Sequence, residues 1–195
     1  MKVGLYFGTF NPVHIGHVVI ANHMIQYSDL EEVWMVVTPQ NPLKKKKGLL
    51  EDFHRIHMVN LATQDYDSIR PSDIEFNLPQ PNYTVNTMVY LQERFPKHDF
   101  ALIMGEDNLD SFPKWKNYEV LLNQYKIYVY PRLDRNRVRA SELADHPNVY
   151  MIENAPIMEI SATFIRDGIK EGKVVQPLLD KEVWKYIDHN LFYKK

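Results

Sequence analysis

The sequence predicts an α/β fold, a doubly wound parallel sheet with helices on both sides, and three observations carry that prediction. Apolar runs of strand length alternate with helical patterns along the chain, as a parallel sheet with crossover helices requires. The first strand-to-helix junction, residues 8 to 17, reads GTFNPVHIGH, a glycine-bearing turn of the kind found where such folds hold anions. A length of 195 residues with 45% apolar content suits one domain with a sizeable core, and residues 1 to 195 are read as a single domain.

The elements follow in order. Val3, Leu5, Tyr6 and Phe7 mark a first strand, Lys2 to Phe7, and the spacing of Val18, Val19, Ala21, Met24 and Ile25 marks a helix from His14 to Tyr27. A β-branched run gives the second strand, Glu32 to Thr38, followed by a helix from Phe53 to Gln64. Ile69 to Phe76 reads as the third strand and Val85 to Arg94 as the next helix. The apolar Phe100 to Met104 is the fourth strand, with a short helix from Tyr118 to Asn123 behind it. Lys126 to Tyr130 and Val149 to Ile152 are the last strands, and Ala162 to Lys170 and Lys181 to His189 the last helices. The polar, basic stretch from Arg132 to Pro147 reads as a solvated surface excursion.

Composition narrows the chemistry. A net charge of -2 gives no basic field for duplex nucleic acid, so a small anion is the expected partner. The absence of cysteine excludes a disulfide frame, a thiolate nucleophile and a Cys-ligated zinc. No apolar run approaches the ~20 residues of a membrane span, and no signal-peptide pattern precedes the first strand, so the expected location is cytoplasmic. A homo-oligomer stays open.

Each residue of the GTFNPVHIGH turn has a physical use if a triphosphate is the guest. Gly8 lets the chain turn and brings the backbone N–H groups of Thr9 and Phe10 towards an anion. His14 and His17 are three residues apart at a helix start, on one face and beside the positive end of the helix dipole, so both imidazoles can donate to one phosphate chain. Gly16 removes a side chain that would crowd the nucleotide. A second constellation, ISATFIR at residues 160 to 166, supplies a capping Ser161, the Thr163 hydroxyl and Arg166 one turn in, whose planar fork can hold two phosphate oxygens.

The first segment resembles the GxFxPxHxGH signature of the Rossmann-like nucleotidyltransferases. The second is similar to their ISSTxIR signature, with Ala162 in place of the second Ser. His-Ile-Gly-His is also a tetrapeptide of class I aminoacyl-tRNA synthetases, but the chain is too short for one and has no Lys-Met-Ser-Lys-Ser-like segment. Three central segments narrow the resemblance to the bacterial nicotinate mononucleotide adenylyltransferases: PNYTVNT at residues 81 to 87, GEDNLDSFPKW at 105 to 115, and FHRIHM at 53 to 58.

The resemblance implies a single nucleotidyltransferase domain that moves the adenylyl group of ATP to nicotinate mononucleotide, releasing pyrophosphate, as a step of NAD biosynthesis. His14, His17 and Arg166 would be catalytic. Gly8, Thr9, Phe10, Gly16, Lys45, Gly105, Asp107, Ser161 and Thr163 would bind ATP, and Mg2+ would arrive with the triphosphate, no resident metal site being expected. Tyr83, Thr84, Trp115 and Lys116 would hold nicotinate mononucleotide, with its carboxylate at the helix start near Thr84 and its pyridinium ring on the indole. Two departures stand out. Asn11 replaces a common Asp, removing one negative charge beside the phosphates, and Pro-Leu-Lys-Lys at residues 42 to 45 replaces Pro-Pro-His-Lys. Other acceptors (nicotinamide mononucleotide, phosphopantetheine, or a polyol phosphate with CTP) and a non-catalytic nucleotide-binding regulatory module stay open from sequence.

Overall fold

Strands and helices alternate in a computed structural model of the chain, which describes residues 1–40, 48–131 and 142–194. The elements run β1 (Lys2–Gly8), α1 (Ile15–Tyr27), β2 (Glu32–Val37), α2 (Asp52–Thr63), β3 (Ile69–Ser72), α3 (Thr84–Arg94), β4 (Asp99–Gly105), α4 (Glu106–Ser111), α5 (Tyr118–Gln124), β5 (Ile127–Tyr130), β6 (Val149–Met151), α6 (Ala162–Lys170) and α7 (Lys181–His189). Short 3₁₀ turns lie at Ile74–Asn77, Phe112–Lys114 and Gln176–Leu178. The six strands form one sheet in the order β3-β2-β1-β4-β5-β6, and every pairing is parallel. This is the doubly wound topology that the alternation predicts, and its order reverses between β1 and β4. A crevice must open there, beyond the carboxyl ends of those two strands.

Side-chain alternation divides the core between the two faces. Val3 and Leu5 of β1 and Leu102 and Met104 of β4 join one cluster, built with Val85, Met88 and Leu91 of α3 and Leu121 of α5. Tyr6 of β1 and Ile103 of β4 join the other, with Met24 of α1, Met58 and Val59 of α2, Ile165 of α6 and Ile187 of α7. Residues two apart on a strand thus feed one face, as the pleat demands.

Two elements differ from the sequence reading. The third strand ends at Ser72 rather than Phe76, because the chain turns into the 3₁₀ segment and sends Ile74 to one cluster and Phe76 to the other. Pro71, which has no N–H to give a ladder, is accommodated because β3 is an edge strand paired only with β2. Helix α4 was not read from sequence. Its six residues, EDNLDS, are too few and too polar for a periodic signal, yet Leu109 and the following Phe112 are fully buried. No helix among the described residues is long and apolar enough to cross a membrane.

Candidate active site

The carboxyl end of β1 divides the site into two halves. On one side stands the histidine pair. His14 occupies the N-cap position of α1 in extended backbone, one residue later than the sequence reading placed it, and His17 sits in the first turn. Their rings stack at 3.7 Å with a 28° tilt. The backbone N–H of His14 donates to Nδ1 of His17 at 3.2 Å, so in the neutral ring Nε2 carries the proton and is the donating nitrogen.

Two glycines are needed by their neighbours. A Cβ on Gly16 would press against Nδ1 and Cε1 of His14 at 3.1 and 3.2 Å, so this glycine makes room for the histidine ring itself. A Cβ on Gly8 would lie 2.8 Å from the Phe10 ring. That ring is buried and packs edge-on against His17 and Tyr6, with centroids 5.0 and 5.9 Å away. Phe10 therefore acts as a wall behind His17, and its left-handed φ of 44° is part of how the turn closes over it.

The second signature arrives from α6. Ser161 caps that helix by accepting from the Phe164 N–H at 3.1 Å. Arg166, one turn further in, donates from Nη2 to the Thr163 hydroxyl at 3.1 Å and from Nη1 to the Asn11 carbonyl at 2.8 Å. A residue 155 positions away is thereby fixed beside the turn that carries the histidines.

The other half is a cleft of about 440 Å³ on the α3 side of β1. Gly8 and Thr9 form one wall, Tyr83 and Thr84 another, and Trp115 and Lys116 a third. Tyr83 is the N-cap of α3 and Thr84 its first residue, so the start of that helix borders the cleft. Trp115 follows the 3₁₀ turn after α4 and packs edge-on against Phe112 at 5.2 Å. The Lys116 ammonium lies 4.4 Å from the centre of the Tyr83 ring, which keeps a positive charge at the cleft. Asn82 and Glu75 build the support beneath. Asn82 donates to the Glu75 carbonyl at 3.0 Å, and the Thr87 hydroxyl donates to the Glu75 carboxylate at 2.7 Å. Burial pushes the Glu75 carboxyl above its ordinary range, against the hydroxyls of Thr87 and Thr38.

Gly105 closes β4 and is the N-cap of α4, with the exposed Asp107 in that helix's first turn. Both stand at the strand end next to β1. Lys45 and the basic residues 132, 135, 137 and 139 lie outside the described residues. Among the described residues, no three His, Asp or Glu side chains gather as they would round a metal ion.

Sequence reasoning gave no bracing role to three residues that hold this geometry. Arg55, fully buried in α2, donates from Nε to the Leu50 carbonyl at 3.0 Å and from Nη1 to the carbonyls of Thr9 at 2.6 Å and Thr38 at 3.0 Å, and pairs with Asp52 through Nη2. It ties the ends of β1 and β2 together from beneath. The segment FHRIHM contains it, but no local pattern reveals which carbonyls it will meet. Asn11 and Tyr193 are the other two. The Asn11 side chain turns into the protein and bonds to Gly48, Leu50 and Tyr193.

The chain is similar to known proteins over most of its length. The sequence model of the family described as cytidylyltransferase-like matches residues 5–168. A relative from Flavobacterium psychrophilum carrying the name "Probable nicotinate-nucleotide adenylyltransferase" is 63% identical over 195 residues, covering all of both chains. One of the same name from Bacteroides thetaiotaomicron is 41% identical, over 96% of this chain and 91% of its own. Among solved structures, the nicotinic acid mononucleotide adenylyltransferase of Plasmodium falciparum complexed with NaAD superposes with a TM-score of 0.81 at 18% identity, covering 98% of this chain and 97% of that one. That likeness establishes the fold.

Proposed function

The chain belongs to the cytidylyltransferase-like family and, within it, to the nicotinate-nucleotide adenylyltransferases; from that premise we propose that it transfers the adenylyl group of ATP to nicotinate mononucleotide, giving nicotinate adenine dinucleotide and pyrophosphate. One observation carries the assignment of its residues: a stacked histidine pair and an anchored arginine on one side of the β1 end, and a cleft with a helix N-terminus, an indole and an ammonium on the other. A donor triphosphate and an acceptor nucleotide would meet across Gly8 and Thr9.

In this reading a 5′-phosphate oxygen of the acceptor attacks the α-phosphorus of ATP in line. A new P–O bond forms as the bond to the bridging oxygen of the β-phosphate breaks, and the electron pair leaves with pyrophosphate. No enzyme nucleophile is required, so catalysis consists of alignment and charge stabilisation. His17, through the Nε2 proton that the His14 amide leaves it, and His14 stacked beside it donate to the oxygens of the transferring phosphate. Arg166 and Lys45 take the charge that builds on the leaving β and γ phosphates. Thr163 and the N-terminus of α6, capped by Ser161, stand behind Arg166. Thr9, Phe10 and Gly16 shape the phosphate turn, and Gly105 and Asp107 bound the nucleoside side at β4.

ATP-dependent adenylyl transfer generally uses a divalent metal, and Mg2+ would arrive with the triphosphate, where it would offset charge on the phosphate oxygens. On the acceptor side, Trp115 stacks on the pyridinium ring, and the N–H groups at Tyr83 and Thr84 receive the carboxylate. Lys116 favours the acid over the neutral amide. We treat residues 1–195 as one nucleotidyltransferase domain, since both core clusters share a single sheet.

The test is pyrophosphate release with ATP and Mg2+, comparing nicotinate mononucleotide with nicotinamide mononucleotide. Fast release with the acid and little with the amide is expected. Release with the amide alone overturns the acceptor assignment, and none with either overturns the activity.

A further inference from the structure

Asn11 is 2% exposed, and its side-chain amide is used on both sides. Its Oδ1 accepts from the Tyr193 hydroxyl at 2.8 Å and from the Leu50 N–H at 3.3 Å, while Nδ2 donates to the Gly48 carbonyl at 3.0 Å. Two donors on one side and a carbonyl on the other fix which way the amide faces. Its main-chain carbonyl is the acceptor for Arg166. One residue of the phosphate turn therefore joins the end of the chain, the approach to α2 and the guanidinium of α6.

The path of the chain to Tyr193 is itself costly. Leu191 and Tyr193 both hold left-handed backbone, with φ of 58° and 63°, which disfavours residues other than glycine. Such conformations persist where surrounding contacts over-determine them. The Tyr193 ring contributes packing beside Phe192, at 6.4 Å, but its hydroxyl is spent on Asn11, 182 positions away. Burial pushes that phenol well above its ordinary range, with Arg166 and Arg55 pulling the other way, so it stays a donor at working pH.

We propose that Tyr193 is a positioning residue for adenylyl transfer, acting through Asn11: its hydroxyl sets the Asn11 amide, and thereby the carbonyl against which Arg166 is aimed. The proposal rests on the ATP-site reading given above. The acceptor cleft is walled by other residues, so the effect falls on the triphosphate side alone.

The experiment uses the full chain with Tyr193→Phe, Asn11→Ala and the double variant. Steady-state kinetics are measured for each substrate separately, with ATP affinity by titration calorimetry and thermal unfolding. Asn11→Ser stands in if Asn11→Ala does not fold. Tyr193→Phe should lower kcat/KM for ATP by ~3 to 10-fold, the worth of one buried hydrogen bond, and leave KM for the acceptor unchanged. In the Asn11→Ala background it should add nothing, since the coupling partner is gone. A rise in KM for the acceptor matching the loss for ATP, wild-type kinetics in Tyr193→Phe, or independent losses in the double variant would each overturn the proposal. A wild-type chain that releases no pyrophosphate would refute the activity instead, and the Tyr193–Asn11 coupling would then be decided by the calorimetric ATP affinities.

Discussion

Arg55 donates to the carbonyl of Thr9 at 2.6 Å from a helix that begins more than forty residues later in the chain. The same guanidinium group reaches Thr38 and Leu50, so one fully buried cation fixes the ends of β1 and β2 and the entrance to α2. Arg55→Ala would leave these carbonyls without their donor and Asp52 without its partner. It should cost ~3 kcal/mol or more of stability, from the buried carbonyls left without a donor and the cavity left by the side chain, as read by urea unfolding. Arg55→Lys should recover only part of the loss, because an ammonium cannot reproduce the planar fork. Unchanged unfolding in Arg55→Ala would contradict the bracing role.

The stacked histidines should both be required. His14→Ala and His17→Ala are each expected to lower kcat by ~100-fold or more, as for removal of a preorganised donor to developing charge. Full turnover in either variant would remove that residue from the mechanism.

Gly16→Ala separates stability from activity. Alanine is favoured over glycine within a helix by up to ~1 kcal/mol, but Gly16 is buried in the first turn and a Cβ there would push the His14 ring, 3.1 Å away at Nδ1. The variant should hold or raise its Tm while kcat falls. A loss of Tm with kcat preserved would show that the glycine serves the helix and not the histidine.

Trp115→Ala should raise KM for nicotinate mononucleotide by ~2 to 30-fold, the range that a cation–π contact of 0.5 to 2 kcal/mol implies, with KM for ATP little changed. Lys116→Ala, which removes the ammonium from the Tyr83 ring, should narrow the preference for acid over amide. An unaltered preference ratio would exclude Lys116 from acceptor selection.

Stability at acid pH should depend on Asp29. Lys2 chiefly, then Tyr128 and Lys126, hold its carboxyl well below the usual carboxylate range. A group whose pKa is depressed on folding adds stability above its unfolded value, near 3.8, and loses it as pH falls towards the folded one. Asp29→Asn should therefore flatten the decline of Tm below pH 4. An identical decline in the variant would mean that other carboxylates govern it.

Much of this molecule was legible as sequence because the relevant signals are local. A strand period of two, a helix period near 3.6 and a glycine-bearing turn at their first junction determined the doubly wound class and the place of the turn that carries His14 and His17. The spacing of His14 and His17 placed both at one helix start, and Ser161 announced its own cap. The third strand was over-extended because Ile74 and Phe76 keep the alternation of a strand while the chain crosses between two clusters, and α4 is too short to show a period.

What only the tertiary structure decided is how distant groups meet. That Arg166 aims at the Asn11 carbonyl, that Arg55 lies fully buried under Thr9 and Thr38, and that Tyr193 closes on Asn11 depend on contacts across 155, 46 or 182 positions. Local propensity is silent on such pairings, because a buried cation or amide is stable only where folding supplies the carbonyls and donors that replace water. The sequence determined which chemistry this chain carries, and the packing of α2, α6 and Tyr193 determined how firmly the turn before His14 is held.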